Sequence, residues 1–470
     1  MALGRRKEKQ SELFVASNRI ARGPAHPFYS KLNDVLDEGG FDEYVEELCQ
    51  PYYKRGGRPS IPPGVYFRML FIGYFEGLGS QRGIAWRCAD SLALRTFLGK
   101  TITEETPVHA SMTIIRQRLP EPIFERVFEF VLKLLDEAGL VKGKTLGVDA
   151  TTLEANAAMK SIVRKDTGQD WKEYLRELAR AEGIEDPTDE DLRKMDRGRK
   201  DKKVSNKQWE SSTDPDSRIM KMKDGRTHLA YKAEHAVDLE SEAIVGAQVT
   251  HADRGDGQTG TETVVMGQAN LVVIDSAAEV QELVADKGYH ENELLVQCDA
   301  WGVRTYIPER KQKKRRWWDK PMEYEKAFRD NRRRVRSGKG KRLNRWRSER
   351  CERTFAHVCE TGGGRRTWLR GLSNTHKVHL LRCAGYNLGL LMRKVHGLRK
   401  PRNAEEGRWG RFLGFSGVLL LVAAVSTRNS DSQTFLWSGL LLLLALAITV
   451  AAMQSRRALI HETPISLTGC

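Results

Sequence analysis

"TLGVDATTLEANAA", Thr145 to Ala158, decides how the rest of the chain is read. A short apolar, β-leaning run stops on an acid, Asp149, and small hydroxyl and amide residues follow it. The pattern predicts a buried strand with a carboxylate at its end. Alone, such an acid is a turn residue or a helix cap. "LVADKGY" (Leu283–Tyr289) repeats the arrangement and puts Asp286 directly after a second apolar run. In a mixed sheet, neighbouring strands bring such ends together in the crevice where open α/β sheets keep their sites. Carboxylates that close repel unless a cation lies between them, and oxygen ligands with open positions suit Mg²⁺ or Mn²⁺. A third acid, Glu352 in "RCERTFAHV", lies on a segment of helical spacing with Phe355 and Val358 free to face a core. Two ions bridged by Asp149, with Asp286 and Glu352 holding one each, would sit about 3.5–4 Å apart, the spacing of two-metal phosphoryl-transfer sites.

The surroundings of these acids are cationic. Of 470 residues, 78 are Lys or Arg and 62 Asp or Glu, a formal charge of +16. Arg310 to Arg350 alone holds 19 Lys/Arg against 5 Asp/Glu, a local +14, interleaved with Trp317, Trp318, Phe328, Leu343 and Trp346. A run of this kind is either a solvated basic loop or a surface whose cations meet phosphates while its aromatics stack. Seven scattered cysteines with no CxxC pair argue against a zinc ribbon and a secreted disulfide framework. The charged start "MALGRRKEKQSELF" lacks the apolar core of a signal peptide, which points to a reducing, cytoplasmic, nucleoid-associated setting.

Residues up to about 140 read as helical. Val65, Met69, Ile72 and Phe75 recur at helical spacing, as do Ile123, Val127, Phe130, Val131 and Leu134, and Gly139 supplies a stop. Residues 1–56 read as lead-in helices and 57–140 as a helical DNA-binding domain. Residues 141–400 read as the catalytic domain, with a polar insertion at about 161–226. "THLAYKAEHAVDL" and "EAIVGAQVTHAD" predict a hairpin, and "LVADKGY", "HENELLVQCDAWG" and "VRTYIPE" a strand, helix and strand. Asp238 reads as a hairpin-turn residue, Asp256 as the opening of a loop before the next helix, with a supporting place behind the metal ligands as its alternative, and the histidines as core or surface residues. Two uncharged runs, 412–427 and 435–453, flanked by Arg408, Arg411, Arg456 and Arg457, predict an apolar hairpin of candidate transmembrane helices that would tether the chain to a membrane. Buried core helices, or a fused tail, are the alternatives.

"GVDATTLEANAA", "STDPDSR", "YKAEHAVD…IVGAQVTHADRGDGQ", "ADKGYHENE" and "ERTFAHVCETGGGRRTWLRGL" follow one another in an order that resembles the DDE transposases of bacterial insertion sequences. "GRPSIPPGVYFRMLFIGYFEGLGSQRGI" is similar to the N-terminal domain that accompanies them, and the resemblance runs from about Gly57 to Leu391. It implies an RNase H-like mixed sheet flanked by helices after an all-helical domain, with Asp149, Asp286 and Glu352 as catalytic and metal-binding acids for two Mg²⁺ or Mn²⁺ ions. It also implies double-stranded DNA as substrate (terminal inverted repeats and target) and a homodimer that pairs two ends.

Many relatives carry Tyr–x2–Arg–x3–Glu–x6–Lys around the last acid. Counted from Glu352, those positions hold Arg345, Ser348 and Cys359; counted from Glu349, the alternative third acid, they hold Arg342, Arg345 and Ala356. Arg345, Arg347, Arg353, Arg365, Arg366 and Arg370 are the expected DNA contacts. A non-catalytic DNA-binding protein from a decayed element and a plain metal-dependent nuclease are the competing functions.

Overall fold

The computed structural model describes residues 26–54, 56–57, 60–199, 205–222, 225–310, 317–318 and 320–401. The first part is helical: α1 (Pro27–Glu38), α2 (Phe41–Cys49), α3 (Pro63–Glu76), α4 (Gln81–Asp90), α5 (Leu92–Phe97), α6 (His109–Arg118) and α7 (Glu121–Glu137). Helix α3 is apolar nearly all round and buries Tyr66, Phe67, Met69, Phe71, Ile72, Tyr74 and Phe75, which makes it the axis of this part. Helix α7 is amphipathic and buries Ile123, Phe124, Val127, Phe128, Val131, Leu132 and Leu135. Gly139, at φ +69, turns the chain out of it, as the sequence predicts.

The central strand β1 (Thr145–Glu154) follows. The polar stretch after it forms β2 (Ile162–Arg164), α8 (Trp171–Ala181), α9 (Asp189–Gly198) and β3 (Trp209–Ser211), closed by a β2–β3 ribbon and a small core of Leu175, Ala179 and Leu192. The stretch expected as insertion to about 226 ends earlier in the structure: β4 (Arg218–Lys221) already pairs with β5 (Thr227–Asp238) and belongs to the main sheet. Then come β6 (Ile244–His251), α10 (Asp256–Val273), β7 (Glu282–Ala285), α11 (Asn292–Ala300) and β8 (Arg304–Tyr306). Most of the described basic tract is two helices, α12 (Met322–Arg336) and α13 (Gly338–Phe355), not an irregular loop. A π-helical turn (Ala356–Glu360) and α14 (Leu372–Lys394) close the described chain.

The sheet runs β4-β5-β1-β7-β8, with β6 also on β5 beyond β4. Strands β5 and β6 form the expected antiparallel hairpin, and β1 is antiparallel to β5 and parallel to β7. Asp238 seals the hairpin turn by accepting from the Lys142 and Glu240 backbone N–H groups (2.8 and 3.0 Å) and the Ser241 hydroxyl (2.6 Å). Helix α10 covers one face, where a Cβ at Gly267 would meet Leu146 and Ala236; α13 and α14 cover the other. Gly147 lets α13 come close: a Cβ there would lie 2.5 Å from Leu239 Cδ2 and 3.0 Å from Cys351 Sγ. Helix α14 is buried along most of its length and packs on β6, α7 and α3, joining helices and sheet. The apolar runs 412–427 and 435–453 lie outside the described residues; among the described residues no helix is long and apolar enough to cross a membrane.

Candidate active site

The β1–β7 register ends at Val148 beside Ala285, so the next step places Asp149 next to Asp286; β7 ends there, whereas β1 runs on to Glu154 beside β5, so the strand end expected at Asp149 is found only at Asp286. Asp286 stops β7 by capping the following turn; its Oδ1 accepts from the Gly288 N–H at 2.6 Å. Asp149 Oδ1 accepts from the Ala150 N–H (2.9 Å), and Oδ2 accepts from Arg347 Nη1 on α13 (2.7 Å). The Asp149 side chain is 20% exposed, and burial pushes its carboxyl up to about 6. The Arg347 guanidinium pulls the other way, and the negative charges of Asp286 and Asp256 add to the rise.

Asp149 sits across from His235 on β5, so both side chains face α13 and α14. The His235 ring stacks on Phe355 at 4.1 Å between centroids. Its Nδ1 lies 3.0 Å from Thr354 Oγ1, and its Nε2 lies 2.9 Å from His379 Nε2 and 3.4 Å from Cys383 Sγ. The Thr354 hydroxyl donates to the Cys351 carbonyl, so the bond network assigns the His235 proton to Nδ1, leaving Nε2 to accept from His379 and from the Cys383 thiol. Burial lowers His235 to about 3 and holds both rings neutral. This chain of bonds ties α13 and α14 to the strand beside Asp149.

Glu352 follows Cys351 on α13. Its exposed side chain makes no hydrogen bond or ion pair with a described residue. The Cys351 thiol is raised by burial first, then by the charges of Asp149 and Glu352, which places both acids in its neighbourhood. Glu349 points elsewhere, paired with Arg353. The structure thus brings Asp149 and Asp286 together and leaves Glu352 on the helix flank. The ligand atoms of the three acids do not all lie within 4.8 Å of one another, whereas those of His235, His379 and Cys383, and of Glu121, Glu125 and His376, do. In the latter trio His376 Nδ1 accepts from the Val249 N–H at 3.1 Å, which leaves the proton on Nε2, 3.5 Å from Glu121 Oε1.

Three of the six arginines expected at DNA are engaged by the chain itself. Arg347 holds Asp149, Arg353 pairs with Glu242 and Glu349, and Arg365 binds Glu360, Thr151 Oγ1 and the Thr152 carbonyl. Arg345, Arg366 and Arg370 are exposed; Arg366 lies over the Trp368 ring and 3.8 Å from Glu154.

On the α10 face is a network that the sequence reading missed. Glu234, fully buried on β5, accepts from the Thr259, Thr263 and Tyr289 hydroxyls and the Gln248 amide. Lys232, 3% exposed, reaches Glu234 Oε1 and Asp256 Oδ1, both at 2.8 Å. The signal was present in "YKAEHAVD": a lysine and a glutamate occupy alternate positions, on one face, of a strand whose other residues include Tyr231, Ala233, Ala236 and Val237.

Residues 17–118 match the family described as Transposase domain (DUF772), and residues 297–392 match the one described as Transposase DDE domain. Glu352 lies inside the second stretch, and Asp149 and Asp286 lie between the two. No curated protein and no solved structure matches the chain.

Proposed function

The chain belongs to the DDE transposases of insertion elements, and from that premise we propose that it binds the terminal inverted repeats of its element, cleaves DNA there and joins the ends to a target. The observation that carries this reading is the register that sets Asp149 beside Asp286 where the parallel pairing of β1 and β7 stops. The order β6-β5-β1-β7-β8, antiparallel on one side of β1 and parallel on the other, supports the RNase H-like core implied by the sequence resemblance.

DDE transposases imply a divalent metal, and the residues present fit one. Two carboxylates lie side by side, one of them buried where its charge is costly, and oxygen donors of this kind suit Mg²⁺ or Mn²⁺. Asp149 and Asp286 would hold it, with Glu352 as the third acid; Glu352 is preferred to Glu349 because Glu349 is tied to Arg353. When bound, such ions lower the pKa of the attacking water or 3′-hydroxyl and offset charge on the leaving oxygen. The chain's own residues do the rest. Arg347 favours the ionised form of Asp149 against its burial. The His235–Thr354 bond fixes α13, and Glu352 with it, against β5, and the close approach of Cys351 to Gly147 fixes it against β1. The exposed guanidinium groups of Arg345, Arg366 and Arg370 suit flanking phosphates. Pairing of two DNA ends makes a homodimer the simplest assembly.

The test is cleavage of an inverted-repeat duplex by the full chain. Asp149→Asn is expected to lower strand cleavage by roughly 10³-fold or more, the scale of losing a catalytic group, with end binding by mobility shift retained. Wild-type cleavage in excess chelator would overturn the reading. Joined strand-transfer products separate a transposase from a nuclease, and excision of a marked element in cells separates it from a non-catalytic DNA-binding relative.

A further inference from the structure

Asp256 is the first residue of α10 and stands at the same end of the sheet as Asp149 and Asp286. A helix-opening acid ordinarily does no more than complement the helix dipole. Three features set this one apart. Its Oδ1 is held by Lys232, which also reaches Glu234 Oε1, Thr259 Oγ1 and the Arg254 carbonyl (2.8, 2.9 and 3.2 Å), so the carboxylate is fixed in orientation by a buried hub. Its Oδ2 points to the turn after β7: a Cβ at Gly288 would collide with Asp256 Oδ2 and lie 2.8 Å from Asp286 Oδ1. The two oxygens therefore flank one point within the reach of a single small group, and glycine keeps it open. Finally, the charges do not cancel. Lys232 is shared between the sealed Glu234 and Asp256, Arg347 is taken by Asp149, and Asp286 has no ion pair among the described residues, so the acids outnumber the cations at this point of a strongly basic protein.

We propose that Asp256 is a further ligand, shared with Asp286, for the divalent cation of the strand-cleavage site, with Lys232 as the positioning residue that aims it. This rests on the reading of Asp149 and Asp286 as the metal-binding acids. Asp256 Oδ2 and Asp286 Oδ1 supply hard oxygen donors from two different elements, the start of α10 and the end of β7. The cation would therefore fix the α10 start against the sheet end as well as meet the DNA. Lys232 keeps Asp256 Oδ1 occupied, so one oxygen only is offered, which leaves coordination positions for water and phosphate.

The experiment uses the full chain and two probes that do not depend on turnover. Mn²⁺ binding is followed by the paramagnetic resonance of the free ion, and Fe²⁺ with ascorbate and peroxide cuts the backbone beside the bound metal. Wild type is expected to be cut both around 286–288 and around 254–257. Asp256→Asn should weaken Mn²⁺ binding by on the order of tenfold or more, the scale of losing a group that orients or ligates a metal, and should lose the 254–257 cut; Asp256→Glu should restore part of both. If wild type is cut at 286–288 but not at 254–257, or if Asp256→Asn binds Mn²⁺ as wild type does while Asp149→Asn and Asp286→Asn lose it, Asp256 is no ligand and the transposase reading stands. If Asp149→Asn and Asp286→Asn also bind Mn²⁺ undiminished, the site reading fails and this inference with it. The wild-type cutting pattern decides the matter even if a variant does not fold.

Discussion

Two buried cations, one in the helical part and one in the sheet, serve opposite ends. Arg68 on α3 is 4% exposed and binds Asp42 through two nitrogens (3.2 and 3.1 Å) and Asp37 through one (2.7 Å), stapling α1, α2 and α3 beneath the Phe97 ring. Its acids reach water, at 63% and 45% side-chain exposure. Lys232 is equally buried, but Glu234 is sealed and its other partner, Asp256, opens on the candidate active site. A staple with wet acids is replaceable. A cation facing a sealed acid is obligatory, because removing it strands a charge in low dielectric.

The largest effect is therefore expected at Lys232. Lys232→Met should cost about 3–5 kcal/mol, the range for breaking a buried pair from one side, read by denaturant unfolding of the full chain. Adding Glu234→Gln should recover much of the loss, since the stranded charge goes with it. A single-variant loss under about 1 kcal/mol would show that water reaches Glu234 and would erase the contrast with Arg68.

Arg347 lies between the extremes, with 13% of its side chain exposed and a partner, Asp149, that faces the site. Because the folded carboxyl is raised to about 6, the native chain holds a proton that the unfolded chain has already lost. Stability from this group is present at low pH, falls as pH rises through about 6 and is flat above, by at most about 3 kcal/mol for a shift of this size. A cation needs the ionised form, so at limiting Mg²⁺ cleavage should fall as pH drops through about 6. In Arg347→Ala the carboxyl loses the guanidinium that lowers it, and the acid limb of the rate profile should move to higher pH. An unmoved limb would mean that Asp149 does not govern it.

Arg68→Met should cost only about 1 kcal/mol, since the acids left behind are hydrated and the stem still packs. A loss as large as that of Lys232→Met would show that burial of the cation, not of the acid, sets the penalty.

Much of this was legible in the chain because local pattern carries it. Apolar runs that stop on acids marked β1 and β7, alternation marked the β5–β6 hairpin, and Gly139 marked the end of α7. What stayed hidden depends on contacts distant in sequence. Asp149 and Arg347 are 198 residues apart, and nothing distinguishes Arg347 from the other cations of its tract until the phase of α13 turns it inward. The same phase separates Glu349 from Glu352, since three residues leave about 60° between side chains. The His235–His379 bond spans 144 residues, so the sequence showed two histidines but not a pair. Asp256 looked like a loop residue because its meaning comes from Lys232, on the neighbouring strand, and from the bare Gly288.

The smallest effect belongs to the cations that face solvent, and it completes the series from sealed to exposed. Arg370 leaves its guanidinium group open and Arg366 has only a loose pairing with Glu154 at 3.8 Å, whereas Arg353 and Arg365 are held closely by Glu242, Glu349 and Glu360. A phosphate contact made by an open cation releases about one counterion, so Arg366→Ala or Arg370→Ala should each reduce the salt slope of DNA binding by about 1. Binding should weaken evenly across DNA sequences, because phosphate contacts carry no base information. Arg353→Ala and Arg365→Ala should leave the slope nearly unchanged and lower stability instead, since their partners are protein acids. Mobility shifts over a range of salt concentrations read both quantities. If all four variants change the slope alike, the ion pairs of Arg353 and Arg365 open on DNA, and the division between cations that build the protein and cations that hold its substrate disappears on this face.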